Sequence, residues 1–142
     1  MQGVHLLIDG CADACQPLVD LERGKLFLSH VAKAIGMTMM LEPQGVHFPY
    51  TKPDGIMKEE VGRASDGTVG GYSAFVLLAE SHISIHTYPE ACRFSIDCYS
   101  CKAFDPAPVF ELLKDYFGDL KCTSSMVERG IERHHNVLKR LG

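Results

Sequence analysis

Between residues 73 and 99 the sequence sets down three strand-like runs in succession with no helix between them, and this stretch constrains the fold most. Ser73 to Ala79 is an apolar run, read as a strand buried on both faces in its middle. Ile83 to Thr87 is a second strand. Phe94, Ile96 and Cys98 then alternate with Ser95, Asp97 and Tyr99, the period of two that marks a half-buried strand.

The flanks supply helices and further strands. Val4 to Asp9 reads as a short first strand ending in a Gly10-Cys11 turn, with loop through Pro17. Asp20 caps a helix carrying Leu21, Leu26, Phe27, Val31, Ala32 and Ile35 on one face, closed by Gly36. Gly24 lies inside that helix at a cost of about 1 kcal/mol relative to alanine. Met37, Met39 and Leu41 alternate with Thr38 and Met40, which predicts a second strand running toward His47-Phe48. Residues 51–71 hold five glycines, a proline and seven charged residues without periodicity, and read as a long loop.

Asp105-Pro106 opens a second helix whose apolar face is Val109, Phe110, Leu112, Leu113, Tyr116 and Phe117, ended by Gly118. Leu120 to Val127 is a last strand, and Ile131 to Leu141 a short basic helix. Strand, helix, several strands, helix, strand is the order of an α/β (α+β) two-layer sandwich. An antiparallel-rich sheet then carries helices on one face. The 142 residues make one domain, 1–142.

Composition narrows the function classes. A net charge of −4 with scattered basic residues offers no stripe for nucleic acid. The longest apolar run, Ala74 to Ala79, is too short to span a bilayer, so no membrane partner is expected. The N-terminus lacks the pattern of a signal peptide, which predicts a cytoplasmic protein. The six cysteines are therefore expected as reduced thiols, Cys11 and Cys92 among the core or surface ones.

The chemistry concentrates at Glu80 to Glu90, where a hydroxyl, two imidazoles and two carboxylates follow the apolar run. In one unbroken strand Ser81 shares a face with Ile83 and Ile85, while His82, Ser84 and His86 point the other way. Ser81 and His86 could not then meet, so either the serine is structural or the chain is broken there.

The run Glu80-Ser81-His82-Ile83-Ser84-Ile85-His86-Thr87-Tyr88-Pro89-Glu90 resembles the self-cleaving segment of the prokaryotic S-adenosylmethionine decarboxylase proenzymes, Glu-Ser-His-hydrophobic-Thr/Ser-Ile-His-Thr-Trp-Pro-Glu. Asp97-Cys98-Tyr99-Ser100-Cys101 is similar to that family's Asp-x-Phe-Thr-Cys. Gly3-Val4-His5-Leu6 resembles its opening Gly-x-His-Leu, and Glu128-Arg129-Gly130 its late Glu-Arg-Gly. The resemblance implies that Ser81 Oγ attacks the Glu80 carbonyl, giving an ester. β-Elimination then frees Glu80 as a new carboxyl terminus, and the resulting dehydroalanine hydrolyses to a pyruvoyl group. A β chain of residues 1–80 and an α chain of residues 81–142 result. The pyruvoyl ketone condenses with the substrate amine and accepts the electron pair released with CO₂, as pyridoxal phosphate does elsewhere.

Matching positions carry implied roles. His86 takes a proton in the elimination, and Ser73 assists processing. Cys101 is the implied general acid, with Cys98 the neighbour most easily confused with it. Glu90 would accept from the ribose hydroxyls, and Phe48 would stack on adenine. The implied partners are a small-molecule substrate and a second copy, a homodimer of α/β pairs whose sites draw on both subunits.

The chain departs from the family pattern near substrate recognition. Tyr88 replaces the usual Trp, Cys92-Arg93-Phe94-Ser95 replaces Gly-Tyr-Ala-Ala, and the 51–71 loop is longer. S-adenosylmethionine is the expected substrate, and a free amino acid such as arginine or ornithine the alternative. A metal-binding module built from His82, His86, Cys92, Cys98 and Cys101 is a distant third, since the spacing matches no zinc finger. A catalytically dead homologue finds no support, because Ser81, His86 and Cys101 are all present.

Overall fold

A computed structural model describes residues 3–48 and 70–130. Six strands form one sheet: β1 (Gly3–Ala12), β2 (Gln44–His47), β3 (Tyr72–Leu78), β4 (Ser81–Tyr88), β5 (Arg93–Ser100) and β6 (Leu120–Arg129). Their order is β2-β3-β4-β5-β1-β6, and every neighbouring pair is antiparallel. The connections from β3 to β4 and from β4 to β5 are too short for a parallel crossover, so hairpins are the only solution there. Helices α1 (Leu21–Ala34) and α2 (Ala107–Phe117) complete the two-layer α+β architecture.

Each helix is made by its local sequence. Asp20 accepts a hydrogen bond from the Arg23 N–H at 3.1 Å, capping α1. Phe27, Leu28, Val31 and Ala32 bury one face of α1, and Val109, Leu113 and Phe117 recur at four-residue intervals along α2. Leu26, placed on the inner face from the sequence, is instead 55% exposed. The N-cap of α2 is Pro106 rather than the expected Asp105, whose carboxylate accepts from the Ala107 N–H at 3.0 Å one residue further out. The Phe117 ring meets Phe27 edge-on at 5.2 Å and stacks on Phe94 at 5.7 Å, so both helices join β5 in one core.

One sheet face is core. Leu6, Ile8, Tyr72, Ala74, Val76, Ile83, Ile85, Phe94, Ile96 and Cys98 all lie buried on it. β3 is not buried on both faces as its composition predicts: Phe75 and Leu77 alternate outward and are exposed. Nor does β1 turn at Gly10. The strand continues to Ala12, and a β-carbon on Gly10 would stand 2.2 Å from the Phe94 ring. Gly24 has a like reason inside α1, where a β-carbon would come within 2.4 Å of the Tyr72 ring.

The strand expected from Met37 is confined to a single bridge, Met39 to Leu78, and β2 begins only at Gln44. The 37–40 segment still lies against the end of β3, with Met40 N–H donating to Leu77 and Ala79 N–H to Thr38. The cysteines are not all thiols. Cys15 and Cys92 form a disulfide with Cα atoms 4.8 Å apart, within the usual range. The sequence could not show this pairing, because 77 residues separate the two. The expected C-terminal helix from Ile131 and most of the 51–71 loop lie outside the described residues.

Candidate active site

β4 is an unbroken strand, and it divides the site residues by parity. Ser81, Ile83, Ile85 and Thr87 face the helices, while His82, Ser84, His86 and Tyr88 face the open side. His86 also lies five positions beyond Ser81 along the strand, about 16 Å at strand rise. The expected site residues therefore form two groups, one at each end of β4.

The first group surrounds the hairpin between β3 and β4. Leu78 pairs with Ser81, so Ala79 and Glu80 make a two-residue turn. The Glu80 carbonyl accepts a hydrogen bond from the Cys101 N–H at 2.9 Å. Ser81 has φ of 157°, at the margin of the region that L-residues rarely enter, and it is half-buried. It pairs across β5 with buried Ser100, whose Oγ accepts from the Lys102 N–H at 3.0 Å. The Glu80 carboxylate accepts from Thr38 N–H at 3.1 Å and from Thr38 Oγ1 at 3.2 Å, with Lys102 Nζ 4.0 Å away. The Thr38 backbone N–H, more than any other contact, holds the Glu80 carboxyl below its ordinary range. Thr38 and Lys102 carried no sequence signal, since their contact with Glu80 exists only once the fold has formed.

The two thiols in this region differ in kind. Burial pushes the Cys98 thiol up to about 12, whereas Cys101 is half-buried and adjoins the Glu80 carbonyl. Cys98 also faces the core while His82 faces the open side, so the two do not converge as ligands for one metal.

The second group lies at the other end. Ser73 and His86 are directly opposed on β3 and β4, and Ser73 Oγ shares a hydrogen bond with His86 Nδ1 at 2.7 Å. With Gln44, Val46, Phe75 and Ser84 they line an open cavity of about 470 Å³. One strand further, Ser95 opposes His86 and donates from Oγ to Asp9 at 2.7 Å. A polar row Asp9, Ser95, His86, Ser73 thus crosses four strands, and the sequence reading had missed its first two members. Glu90 sits exposed in the 3-10 turn Pro89–Ala91 beyond β4, beside a cavity of about 430 Å³ shared with Asp9, Tyr88 and Arg93. Phe48 is exposed just past β2.

The antiparallel α+β sheet thus carries a two-residue hairpin at one end of β4 and a serine-histidine pair at the other. Residues 4–130 match the family model described as S-adenosylmethionine decarboxylase. The chain belongs to the S-adenosylmethionine decarboxylase family.

It is similar to the arginine decarboxylase proenzyme of Aeropyrum pernix, 40% identical over 68 residues, 47% of this chain and 52% of that protein. It is also similar to the S-adenosylmethionine decarboxylase proenzyme of Brevibacillus brevis, 39% identical over 62 residues, 43% of this chain and 47% of that protein. The match spans about half the length of these curated relatives. The crystal structure of the adenosylmethionine decarboxylase from Aquifex aeolicus superposes with a TM-score of 0.66 at 25% identity, covering 94% of this chain and 96% of that one. Proenzymes of this family are pyruvoyl-dependent, the group arising from a serine by autocleavage.

Proposed function

We propose that this chain cleaves itself between Glu80 and Ser81 and then decarboxylates S-adenosylmethionine, supplying an aminopropyl donor for spermidine synthesis. The hydrogen bond from Cys101 N–H to the Glu80 carbonyl carries the reading. A backbone donor already aimed at this carbonyl stabilises the oxyanion that forms as Ser81 Oγ adds to it. The hairpin turn and the Thr38 clamp on the Glu80 carboxylate hold the peptide in place for that attack. The adduct collapses to the ester as the Glu80–Ser81 C–N bond breaks. In the β-elimination that follows, His86 takes the Cα proton of Ser81 and the Cβ–Oγ bond breaks, releasing Glu80 as a new α-carboxylate, with Ser73 orienting the imidazole.

Ser81 at the head of β4 fits as the source of the pyruvoyl group, which supplies an electron sink for loss of CO₂. Cys101, beside that position, returns a proton to the product carbon. Glu90 accepts from ribose hydroxyls and Phe48 covers the adenine.

One protomer cannot bring His86 to Ser81, because strand parity and about 16 Å keep them apart. The proposal therefore includes a homodimer of α/β pairs, each protomer giving its Ser73–His86 pair to the Ser81 of the other. The proposed location is the cytoplasm; among the described residues no helix is long and apolar enough to cross a membrane.

Denaturing mass spectrometry of reduced protein tests the cleavage. Fragments dividing at Glu80-Ser81, lost in Ser81→Ala, are expected; intact chain in both proteins sinks the reading. A second substrate has a specific observation behind it, the similarity to an arginine decarboxylase proenzyme. Release of CO₂ from labelled S-adenosylmethionine, arginine and ornithine decides between them. Turnover of a free amino acid alone would replace the nucleoside.

A further inference from the structure

The Cys15–Cys92 disulfide straddles the proposed cleavage point. Cys15 precedes Glu80-Ser81 and Cys92 follows it, so the loop closed by the disulfide contains the scissile bond. We infer that, in an oxidising medium, the mature enzyme is a covalently joined two-chain molecule. In it the Cys15–Cys92 disulfide fastens the turn bearing Glu90 to the chain that ends at Glu80. The inference rests on the cleavage and the Glu90 role proposed above.

The geometry at both sulfurs supports more than a passive link. Cys15 stands at the head of the 3-10 turn Gln16–Leu18, and the carbonyl of buried Leu18 accepts from Thr87 Oγ1 at 2.7 Å. That segment of the first chain is therefore anchored to β4 just before Pro89 and Glu90. Cys92 closes the Glu90 turn, its N–H donating to the Pro89 carbonyl at 3.0 Å. Its own carbonyl accepts from the Ala12 N–H at 2.8 Å.

Cys92 also holds φ of 50°, a left-handed conformation disfavoured by a β-carbon and normally given to glycine. Within the turn, the disulfide and the Ala12 hydrogen bond join it to the first chain. Without the disulfide the turn itself keeps the Ala12 hydrogen bond, between the Thr87–Leu18 anchor and the β1–β5 pairing, and the backbone carrying Glu90 can relax from the strained geometry. Loss of position at a group that binds equally in ground and transition states raises KM and leaves kcat unchanged.

Both cysteines are half-buried, within reach of small thiols and disulfides. Forming the bond removes two protons and two electrons from the Cys15 and Cys92 thiols. A low-molecular-weight disulfide such as glutathione disulfide accepts them by exchange, becoming two thiols.

Protein equilibrated with glutathione disulfide, alkylated and denatured, is weighed with and without phosphine reductant. One species containing both fragments is expected before reduction and two separate fragments after it. Two fragments before reduction overturn the tether while leaving the cleavage standing. A full-length uncut chain in both samples overturns the cleavage and the two-chain molecule together.

The positioning of Glu90 is read separately by kinetics on S-adenosylmethionine. In dithiothreitol the wild-type KM should rise about threefold or more, with kcat held within about twofold. Cys15→Ala should show the high KM in both buffers. Equal wild-type KM in oxidising and reducing buffer overturns the positioning role.

Discussion

Ser81 and His86 lie on one unbroken strand and point to opposite faces of the sheet. The homodimer proposed above would draw them from two copies of the chain. Coexpression tests this directly. Ser81→Ala and His86→Ala chains are each expected to stay uncut alone. In the mixed dimer the Ser81 of one chain meets the intact His86 of the other, so cleavage of the His86→Ala chain should return. No fragments from the mixture would place both groups in one protomer.

The short contact between Ser73 and His86 fixes the imidazole through Nδ1. Removing the imidazole should slow fragment formation by about 100-fold or more, the usual worth of a positioned acid-base group. Ser73→Ala should cost about tenfold through lost orientation. Both side chains face the open side of the sheet, so the melting temperature should hardly move. A time course of fragments by mass spectrometry, beside a thermal melt, checks both statements.

Cys98 and Cys101 are separable by reactivity. Burial raises the Cys98 pKa to about 12, so this thiol stays protonated and shielded across the working range. Iodoacetamide at pH 8 should label Cys101 and leave Cys98 untouched, as read by peptide mapping. Heavy labelling of Cys98 in folded protein would contradict the packing of β5 against the helices.

The Glu80 carboxyl is held low chiefly by the Thr38 backbone N–H, with Thr38 Oγ1 and Lys102 adding to it. A lowered carboxylate contributes stability above its unfolded pKa and loses it as pH falls through the folded value. The clamp on the hairpin should therefore be intact at neutral pH and released in acid. Carboxyl-carbon NMR should find Glu80 titrating below an ordinary glutamate, and Thr38→Val should move it partway back. An unmoved titration in Thr38→Val would remove the side-chain part of the clamp.

Gly10→Ala sets a methyl group into the Phe94 ring. Forcing an atom into a packed core costs about 1–3 kcal/mol, and a fall in melting temperature should report it. Phe94→Leu, which vacates part of that space, should soften the effect of Gly10→Ala in the double variant.

The sequence carried the two-layer plan, because period-two runs and capped amphipathic helices follow from local chemistry. It carried the parity conflict at Ser81 for the same reason. What it could not carry were contacts made across the chain. Gly10 read as a turn because its actual reason, the Phe94 ring, lies on another strand. Met37 to Leu41 alternated like a strand, yet it only bridges the end of β3 and lends Thr38 to Glu80. The disulfide was hidden likewise, since the absence of an export pattern argued for thiols while folding set Cys15 against Cys92.

Strand β1 has the last consequence. With the cut proposed above it belongs to the chain ending at Glu80, yet it is hydrogen-bonded on both sides by β5 and β6 of the other chain. Cutting the hairpin would thus leave two polypeptides interleaved through a single sheet. Unfolding of the reduced, matured molecule becomes a dissociation, and its melting temperature acquires a dependence on protein concentration that the uncut precursor does not share from this source. Refolding must likewise recruit two partners from solution. A cut at Glu80-Ser81 would therefore have to follow assembly of the sheet, and that order could not be run backwards without loss.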